Sequence, residues 1–567
     1  MFTRHGTEQA PVFPLCSTGR LPFLFAHTCP ADQYRHTLPT RYVFSLGSFY
    51  FFSGNGEYLS MNRFAARLFL LLFPSLAGVA AWAQAPSPRI APAADRSATS
   101  APPVAGAQQL FGAIALSTHS EKNRQLLELA VDKYENADYL ESAALARRAA
   151  EADPQSALAY SMASFAARRW VPDSAAFTKA KSLLSRATPD EQLLARWMIG
   201  IQDRDLLPAI SSMNDLLQRF PRDKHILYMT AEWLLLQQDD DRARSMMETA
   251  LQIDPTFPAA LNRLGYVYIG SSTPDPAKAI ASLKRYAQVE PNSPNPQDSL
   301  GEISRFAGDD AAALEHYAAA LKIDPKFLNS QTGLGGTRTL MGDYSNARKE
   351  YDLVIQRSGI PFEVLDAKCQ KALVSFWEGN PVEGRKALAA LAEEAARIKE
   401  FNGQFEIALA GAMLAADSRD ELQQLRALSD LLEKPLAGMN EADRDVNRAT
   451  VLRERVRVAA LNGFVDNASE AVSQLEGLAT SSRDSVVMNA YESARGYLLL
   501  KQGDLSNAAS ELAADPHSPL ALQQLALTQE KLGNADATQA ARTRLKYERA
   551  PSVEWFLVTH PNNGAAR

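Results

Sequence analysis

Six prolines recur at nearly constant intervals along the chain, and this period limits the possible fold more than any other feature of the sequence. The intervals between them are 35, 32, 34, 36 and 34 residues. The prolines are Pro154, Pro189, Pro221, Pro255, Pro291 and Pro325. Because proline disfavours helix at the preceding residue, each one can end a helical unit and begin the next. A period near 34 residues therefore predicts a stack of small units that share one continuous core.

Chain length and composition agree with a helical array. The chain has 567 residues, whereas one hydrophobic core rarely grows beyond about 250–300 residues. Strong helix formers such as Ala, Leu, Glu, Arg and Gln dominate after residue 120. The formal net charge is −6, and residues 1–85 contribute six Arg and three acidic residues, or +3, so the remainder carries −9. This acidic remainder has no long basic run, which argues against a nucleic-acid partner.

Small residues and tyrosines recur at fixed offsets inside the units. In one unit, Gly301 is followed by the turn Gly308-Asp309 and then by Ala313 and Tyr317, and the neighbouring units repeat this pattern. We expect the small residues to lie where the two helices of a unit cross, because a larger side chain there would hold the helices apart. These repeat-defining positions are Gly265, Ala279, Gly301, Ala313, Gly335 and Ala347.

The offsets resemble those of the tetratricopeptide repeat (TPR) family, and in particular exported bacterial TPR proteins. The resemblance is specific, because about seven positions recur together at the family's spacing. It implies an all-α fold, a right-handed superhelical solenoid of helix-turn-helix repeats, with no β-sheet anywhere. We therefore predict a TPR array over residues 118–358.

Toward the C-terminus the pattern blurs, and two interpretations stay open. Apolar residues at helical spacing and the return of small residues such as Gly496 favour divergent TPR-like helical repeats over residues 359–550. The same residues could instead form a separate helical domain. Residues 551–567 are predicted to be an extended C-terminal tail that packs Trp555 and Phe556 on the final helices.

Residues 61–85 have the three parts of a secretion signal. Two arginines form a positively charged start, residues 68–82 form an apolar run, and small-x-small cleavage motifs end at Ala83 and Ala85. The run is shorter than the ~20 residues that a spanning helix needs, so we expect no membrane span in the mature chain. The protein is expected to be exported, either periplasmic or secreted, in a bacterium.

The position of this signal determines how we interpret the residues around it. Because a bacterial-type signal begins a chain, we predict that translation starts at Met61 and that residues 1–60 are a misassigned, disordered N-terminal extension. The alternative is an N-terminal region with a role of its own. Residues 86–117 are rich in Pro, Ala and Ser without an apolar period, which indicates a flexible linker.

The sequence contains no catalytic or metal-binding motif. HExxH, GxSxG and GxxxxGK[ST] are absent. Only one cysteine, Cys369, lies in the array, and its alanine neighbours favour a buried structural thiol over a nucleophile. The histidines are far apart in the sequence and have no ligand-like spacing. We therefore predict that the chain is not an enzyme and that it binds no cofactor and no metal.

The family resemblance also implies where a ligand binds. In TPR proteins, ligands usually lie on the concave face, which the first helix of each unit lines. Carried onto this sequence, that face holds the binding candidates Tyr228, Glu232, Asn262, Tyr266, Asp298, Glu302 and Arg305, followed by Asn329, Thr332 and Thr339. Chaperone-binding members of the family grip a C-terminal carboxylate with Lys and Asn, but the fifth helix position here is never Lys, which argues against such a clamp. The mixture of aromatic, amide and acidic groups suits a peptide or a partner helix.

Three functions are compatible with these features. The favoured one is an exported protein-protein interaction scaffold that binds a peptide or a partner protein on the concave face. The second is an assembly subunit of cell-envelope or polysaccharide export machinery. The third is an enzyme with a site in the divergent C-terminal region. A deep polar pocket with converging acids and histidines would favour the enzyme, whereas a smooth continuation of the superhelix would favour the scaffold.

Overall fold

The computed structural model describes residues 49–52, 58–61, 114–168, 171–436, 439–482 and 484–561. The chain divides into two units, Met1–Val104 and Ala105–Arg567. The predicted signal segment after Met61 and the linker as far as residue 113 lie outside the described residues.

The described part of the first unit is a short antiparallel hairpin. Strand β1 (Phe49–Phe52) pairs with β2 (Tyr58–Met61), with Phe49 opposite Met61. The expectation that no β-sheet occurs anywhere is therefore wrong for these eight residues. The aromatic run of β1 has high strand propensity, and Gly and Asn, which are typical of turns, separate the two strands in the sequence.

The described part of the second unit is all-α and consists of twelve consecutive helix pairs and one final helix. The helices are α1 (Glu121–Glu135), α2 (Tyr139–Ala152), α3 (Ala157–Phe165), α4 (Ser174–Leu183), α5 (Pro189–Gln202), α6 (Leu206–Arg219), α7 (Lys224–Leu236), α8 (Asp240–Ile253), α9 (Pro258–Gly270), α10 (Pro276–Val289), α11 (Asn295–Ala307), α12 (Asp310–Ile323), α13 (Leu328–Leu340), α14 (Tyr344–Arg357), α15 (Pro361–Trp377), α16 (Pro381–Ile398), α17 (Phe401–Met413), α18 (Ser418–Leu432), α19 (Glu441–Leu461), α20 (Val465–Ser482), α21 (Ser485–Gln502), α22 (Leu505–Leu512), α23 (Pro519–Lys531), α24 (Ala535–Lys546) and α25 (Val553–Thr559). A 3₁₀ turn (Leu184–Arg186) follows α4.

Successive pairs stack on one another through the whole array. Helix α14 packs on α15, α16 on α17 and α18 on α19, so the stack passes residue 358 without interruption. The helices of the C-terminal half therefore pack onto the preceding pairs and belong to the same compact unit, Ala105–Arg567.

The two helices of a unit approach closely at the predicted small residues. A Cβ atom added at Gly301 would lie 2.9 Å from the ring of Tyr317, and one added at Gly335 would lie 2.8 Å from Tyr351. At Gly265 the nearest atom would be Leu283 Cγ at 2.7 Å. These distances are shorter than real Cβ contacts, so only glycine permits the observed approach. The alanines Ala279, Ala313 and Ala347 on the second helices are fully buried.

Glycine also ends the first helix of two central units, as predicted. Gly308 and Gly342 adopt left-handed backbone conformations, with φ of 84° and 81°. At this position glycine avoids the strain that a Cβ would impose, and its backbone N–H can bond a carbonyl of the last helical turn. Asp309 then caps α12 by accepting a hydrogen bond from the Ala312 N–H at 3.0 Å.

The packed body begins before α1, inside the segment predicted to be linker. Ile114 is 3% exposed, and the Ser117 N–H donates to Glu191 Oε2 at 2.7 Å. The Thr188 hydroxyl donates to the Ala115 carbonyl. Residues 114–117 therefore lie against α5, and the predicted flexible linker is too long at this end.

The C-terminal tail is also more ordered than predicted, because residues 553–559 form helix α25 and not an extended segment. Ser552 caps the helix by accepting from the Trp555 N–H at 3.1 Å. Phe556 is 4% exposed and packs edge-on against Trp377 of α15, with ring centroids 5.2 Å apart. The cap and this burial offset the entropy of ordering the segment.

A buried charge network holds α25 against the array. Arg453 Nη2 donates to Glu554 Oε1 at 3.2 Å, and Arg453 Nη1 donates to Asp515 Oδ2 at 2.7 Å. Burial raises the pKa of Glu554 to about 6, although Arg453 opposes this shift. Buried charges are tolerated only when they are paired, so the network ties α19, the loop before α23, and α25 together.

The C-terminal helices also touch the loops of the N-terminal half. The Gln237 side chain accepts a hydrogen bond from the Ser485 N–H at 3.0 Å, and these residues are 248 positions apart in the sequence. The Asn489 side chain donates a hydrogen bond to Gln238 at 2.6 Å across 251 positions. Arg549 binds Asp310 through two N–H groups at 2.5 and 2.8 Å, across 239 residues. A spacing near 240 residues is about seven repeats of 34 residues, so these contacts join units that lie about seven repeats apart in the sequence.

We predict that Gly301→Leu destabilises the array. Overpacking of a helix crossing typically costs about 1–3 kcal/mol, whereas better helix propensity returns less than ~1 kcal/mol. The matched control is Gly477→Leu, since Gly477 is exposed in α20 and a Cβ there meets nothing within 4 Å. Thermal melting should fall for the first variant and hold or rise for the second. Equal melting of both variants would contradict the crossing assignment.

We predict that Arg549→Ala loosens the contact between superhelical turns. The Arg549 guanidinium makes two bonds to Asp310 and a third, at 3.2 Å, to the Arg305 carbonyl. Amide hydrogen exchange should accelerate in residues 547–559 and at the start of α12. The control Arg542→Ala removes an exposed pair with Glu530, which contributes little stability and should leave exchange unchanged.

Candidate functional site

The N-terminal part of the predicted concave face is filled by the chain itself. Tyr228 on α7 is 3% exposed, and its hydroxyl donates to the Glu135 carbonyl at 3.2 Å. The ring of Tyr228 packs edge-on against Phe257, and His225 Nδ1 lies 2.8 Å from Glu135 Oε1. The hypothesis that Tyr228 offers an aromatic surface to a partner is therefore wrong, because the end of α1 covers it.

Glu232 is occupied by an internal ion pair. The Arg263 guanidinium on α9 donates to both carboxylate oxygens of Glu232, at 2.5 and 2.7 Å, and approaches the Tyr139 hydroxyl at 3.5 Å. Burial by itself lowers the pKa of Arg263, but Glu232 raises it well above its usual value. Arg263 therefore stays charged, and its contacts join α7, α9 and the start of α2.

Asn262 and Tyr266 on α9 position a carboxylate of the next unit. The Tyr266 hydroxyl donates to Glu302 Oε2 at 3.0 Å and lies 3.2 Å from Ser299 Oγ. The Ser299 hydroxyl in turn donates to Asn262 Oδ1 at 2.8 Å. Burial, assisted by the negative charge of Glu302, raises the pKa of Tyr266 well above its usual value, so the phenol remains a donor. These contacts orient Glu302 toward the open part of the groove.

A pocket of about 320 Å³ lies between the first helices α11, α13 and α15, and we call it pocket A. It is lined by Asp298, Glu302, Arg305, Tyr317, Leu328, Asn329, Thr332, Gly333, Val354, Phe362, Glu363 and Asp366. Three of the seven binding candidates therefore converge here, together with Asn329 and Thr332, which sequence analysis placed on the same face. Tyr228, Glu232, Asn262 and Tyr266 lie outside it.

Arg305 and Glu302 form one wall of pocket A. Arg305 Nη2 donates to Glu302 Oε1 at 2.9 Å, while the buried Nε of Arg305 has no hydrogen-bond partner. Burial lowers the pKa of Arg305, but Tyr317 and Glu302 raise it above its usual value overall. The guanidinium is therefore charged and keeps a donor that an acceptor on a ligand could satisfy.

Asp298 is a carboxyl group in a nearly dry environment. The residue is 8% exposed and accepts a hydrogen bond from the Ser330 hydroxyl at 2.7 Å. Burial raises the pKa of Asp298 to about 7, because Ser330 and Arg305 offset only part of the desolvation and Glu302 adds a negative charge. Asp298 therefore changes its protonation state close to neutral pH.

Two carboxylates of pocket A were missed by sequence analysis. Glu363 and Asp366 lie in the first turns of α15, where the repeat pattern has already blurred. Glu363 accepts from the Ser358 hydroxyl at 2.7 Å, and burial raises the pKa of Asp366. A signal was present, since a three-residue spacing directly after Pro361 places both side chains on one face of a starting helix.

A second pocket of about 290 Å³, pocket B, continues the groove. It is lined by Phe362, Asn402, Phe405, Glu406, Asp443, Val446 and Asn447, from α15, α17 and α19. Phe362 lines both pockets, so pocket A and pocket B adjoin at this residue. Sequence analysis assigned none of these residues to a site, because it assigned groove positions only as far as α13.

Neither pocket has the features of a metal centre. Among the residues that the structure describes, no group of three or more His, Cys, Asp or Glu is arranged to hold a metal ion. Cys369 is 8% exposed, and burial raises the pKa of its thiol to about 12, as expected for a packing residue. None of the described helices is long and apolar enough to cross a membrane. The absence of enzymatic activity stays a prediction.

Comparison with known proteins supports the repeat assignment over a short stretch. No family model matches the chain. The human tetratricopeptide repeat protein 7B is 29% identical over 116 residues, which is 20% of this chain and 14% of that protein. The match thus spans about a seventh of the length of this relative.

Solved structures with TPR folds resemble parts of the array. Yeast Tom70 is 15% identical, with a TM-score of 0.37, over 75% of this chain and 90% of its own. A tetratricopeptide repeat protein from Parabacteroides merdae is 14% identical, with a TM-score of 0.32, over 48% of this chain and 92% of its own. Because both scores are below 0.5, these structures lend no support to a particular function.

The helix pairs of the structure agree with the similarity found over 116 residues. Helix pairs follow one another at the predicted period, Gly265, Gly301 and Gly335 lie at the crossings, and Gly308 and Gly342 end first helices. The chain therefore has the helix-pair fold and the residue pattern of tetratricopeptide repeat proteins, and 116 of its residues are similar to a member of that family.

Proposed function

We propose that this protein is an interaction scaffold that binds a segment of a partner protein in pocket A. The observation that carries the proposal is the convergence of Asp298, Glu302 and Arg305 with Asn329 and Thr332 at a pocket that no other part of the described chain fills. Elsewhere on the predicted face, the chain's own side chains already satisfy the candidate groups.

The chemistry of pocket A suits a polypeptide. Amide, hydroxyl, carboxylate and guanidinium groups together can both donate to and accept from a peptide backbone. The volume of about 320 Å³ corresponds to roughly ten waters at ~30 Å³ each, which is room for one or two side chains. Because a few central residues carry most of the energy of such contacts, a small pocket can anchor a larger partner.

We propose further that the protein is exported before it binds its partner. The charged start, the apolar run of residues 68–82 and the cleavage motifs ending at Ala83 and Ala85 support this step. A partner in the cell envelope would then be accessible, including a component of envelope or polysaccharide export machinery.

An enzyme in the C-terminal region is the less favoured alternative. Acids converge in pockets A and B, but no histidine lines either pocket. The helix pairs stack on one another through residues 359–550, and this continuous packing supports a scaffold over an enzyme.

We predict that a photo-crosslinking amino acid in place of Asn329 captures a polypeptide in native extracts. Asn329 lines pocket A and is exposed. Adding Thr332→Trp, which fills the pocket, should reduce the yield at least tenfold without changing the melting temperature. The control carries the crosslinker at Leu207, which is 55% exposed on α6. Equal capture from both positions, or none from Asn329, would disprove the proposed site.

We predict that the exported protein begins at Gln84 or Pro86. Cleavage after Ala83 or Ala85 would produce these termini. N-terminal sequencing and intact mass of the native protein measure this directly, and expression from Met61 should yield the same mature chain. A mature protein that retains residues 1–60 would contradict both the signal assignment and the start at Met61.

A further inference from the structure

We infer that the groove formed by pockets A and B binds an extended polypeptide segment that carries lysine or arginine, laid across Phe362 with one basic side chain in each pocket. This inference rests on the proposed function and specifies the partner that the same site recognises.

The charged groups that line the groove are mostly acidic. Pocket A contains four carboxyl groups and one cation, Arg305, which is already paired with Glu302. The carboxyl groups of Asp298, Glu363 and Asp366 accept hydrogen bonds from neutral groups, namely Ser330, Ser358 and Gln370. Pocket B adds Glu406 and Asp443 and contains no Lys, Arg or His. The groove contains six carboxyl groups and one cation, and a mainly acidic cleft attracts a ligand of the opposite sign, so charge complementarity favours a basic segment.

The side chain of Arg305 has a hydrogen-bond donor that no protein group satisfies. Arg305 is 7% exposed, and its buried Nε–H has no acceptor. A buried donor without an acceptor is destabilising, and a carbonyl oxygen of a peptide bound beside Arg305 is a group that could accept from it. A simple amine or a metal ion offers no such acceptor, whereas a peptide supplies basic side chains and backbone carbonyls together.

One aromatic residue, Phe362, lies where the two pockets of the groove adjoin. Phe362 lines pocket A on one side and pocket B on the other. In an extended peptide, residues two apart point to the same side and lie about 7 Å apart. Two basic side chains at that spacing can enter the two pockets, while the backbone between them passes over the ring. A cation beside the ring face gains a further attraction.

Asparagine side chains mark the path of the backbone. Asn329 on α13 and Asn447 on α19 line the groove on two of its first helices. Each amide can donate to a backbone carbonyl and accept from a backbone N–H. Repeated amides of this kind suit an extended segment, because a helical ligand has already satisfied its own backbone groups.

The experiment is selection of random twelve-residue peptides, displayed on phage, against the immobilised full chain. We expect enriched peptides to carry Lys or Arg at two positions separated by one residue. A synthetic copy of the best peptide should bind the Glu363→Gln, Asp366→Asn double variant at least tenfold more weakly than the unaltered chain, as measured by fluorescence anisotropy. The charge-matched control is Glu383→Gln with Glu393→Gln, two positions on α16 outside both pockets, which should bind normally.

The outcomes separate this inference from the proposed function. Enriched peptides without basic pairs, or with helical apolar spacing, would overturn the inference while leaving a peptide-binding scaffold intact. Equal loss in the α16 control would also overturn it, because long-range charge alone would then explain the binding. Failure to enrich any peptide, together with no crosslink from Asn329, would overturn both.

Discussion

The geometry of the array around pocket A depends on one type of contact, a tyrosine ring packed against glycine backbone. Tyr317 of α12 lies between Gly301 of its own unit and Gly333 of the next, and a Cβ at either glycine would overlap the ring. Tyr317 is 2% exposed, and it also lines pocket A. Because it determines how closely α11 and α13 approach, it also determines the distance between Asp298 and Asn329 across the pocket.

Tight superhelical curvature explains why only part of the concave face is open. The ends of α1 and α2 reach α7 and α9, where Glu135 meets His225 and Arg263 approaches Tyr139. The following turn instead contacts the first along its edge, at loop residues such as Gln238 and Asp310. The face formed by α11, α13, α15, α17 and α19 is therefore not covered by another part of the described array, and its charged groups are mostly acidic.

Sequence reasoning was most accurate where the cause is local. Gly308 and Gly342 could be assigned because a helix that ends in a left-handed residue selects glycine, whatever lies further away. Tyr228 was misjudged because its exposure is decided by Glu135, 93 residues earlier in the chain. Likewise, α25 was missed because a helix of seven residues is unstable alone and depends on burying Phe556 against α15.

The sequence by itself determined the repeat length, the helix pairs, the crossing residues and the acidic character of the array, since each follows from residue type and spacing within about 34 residues. Only the tertiary structure decided which groove positions are covered, that Glu363 and Asp366 join Asp298 and Glu302, and that two pockets adjoin at Phe362. The physical reason is that exposure and charge environment depend on the summed curvature of many units. A small angle added at every crossing accumulates over seven repeats until distant parts of the chain meet, and no local pattern records that sum.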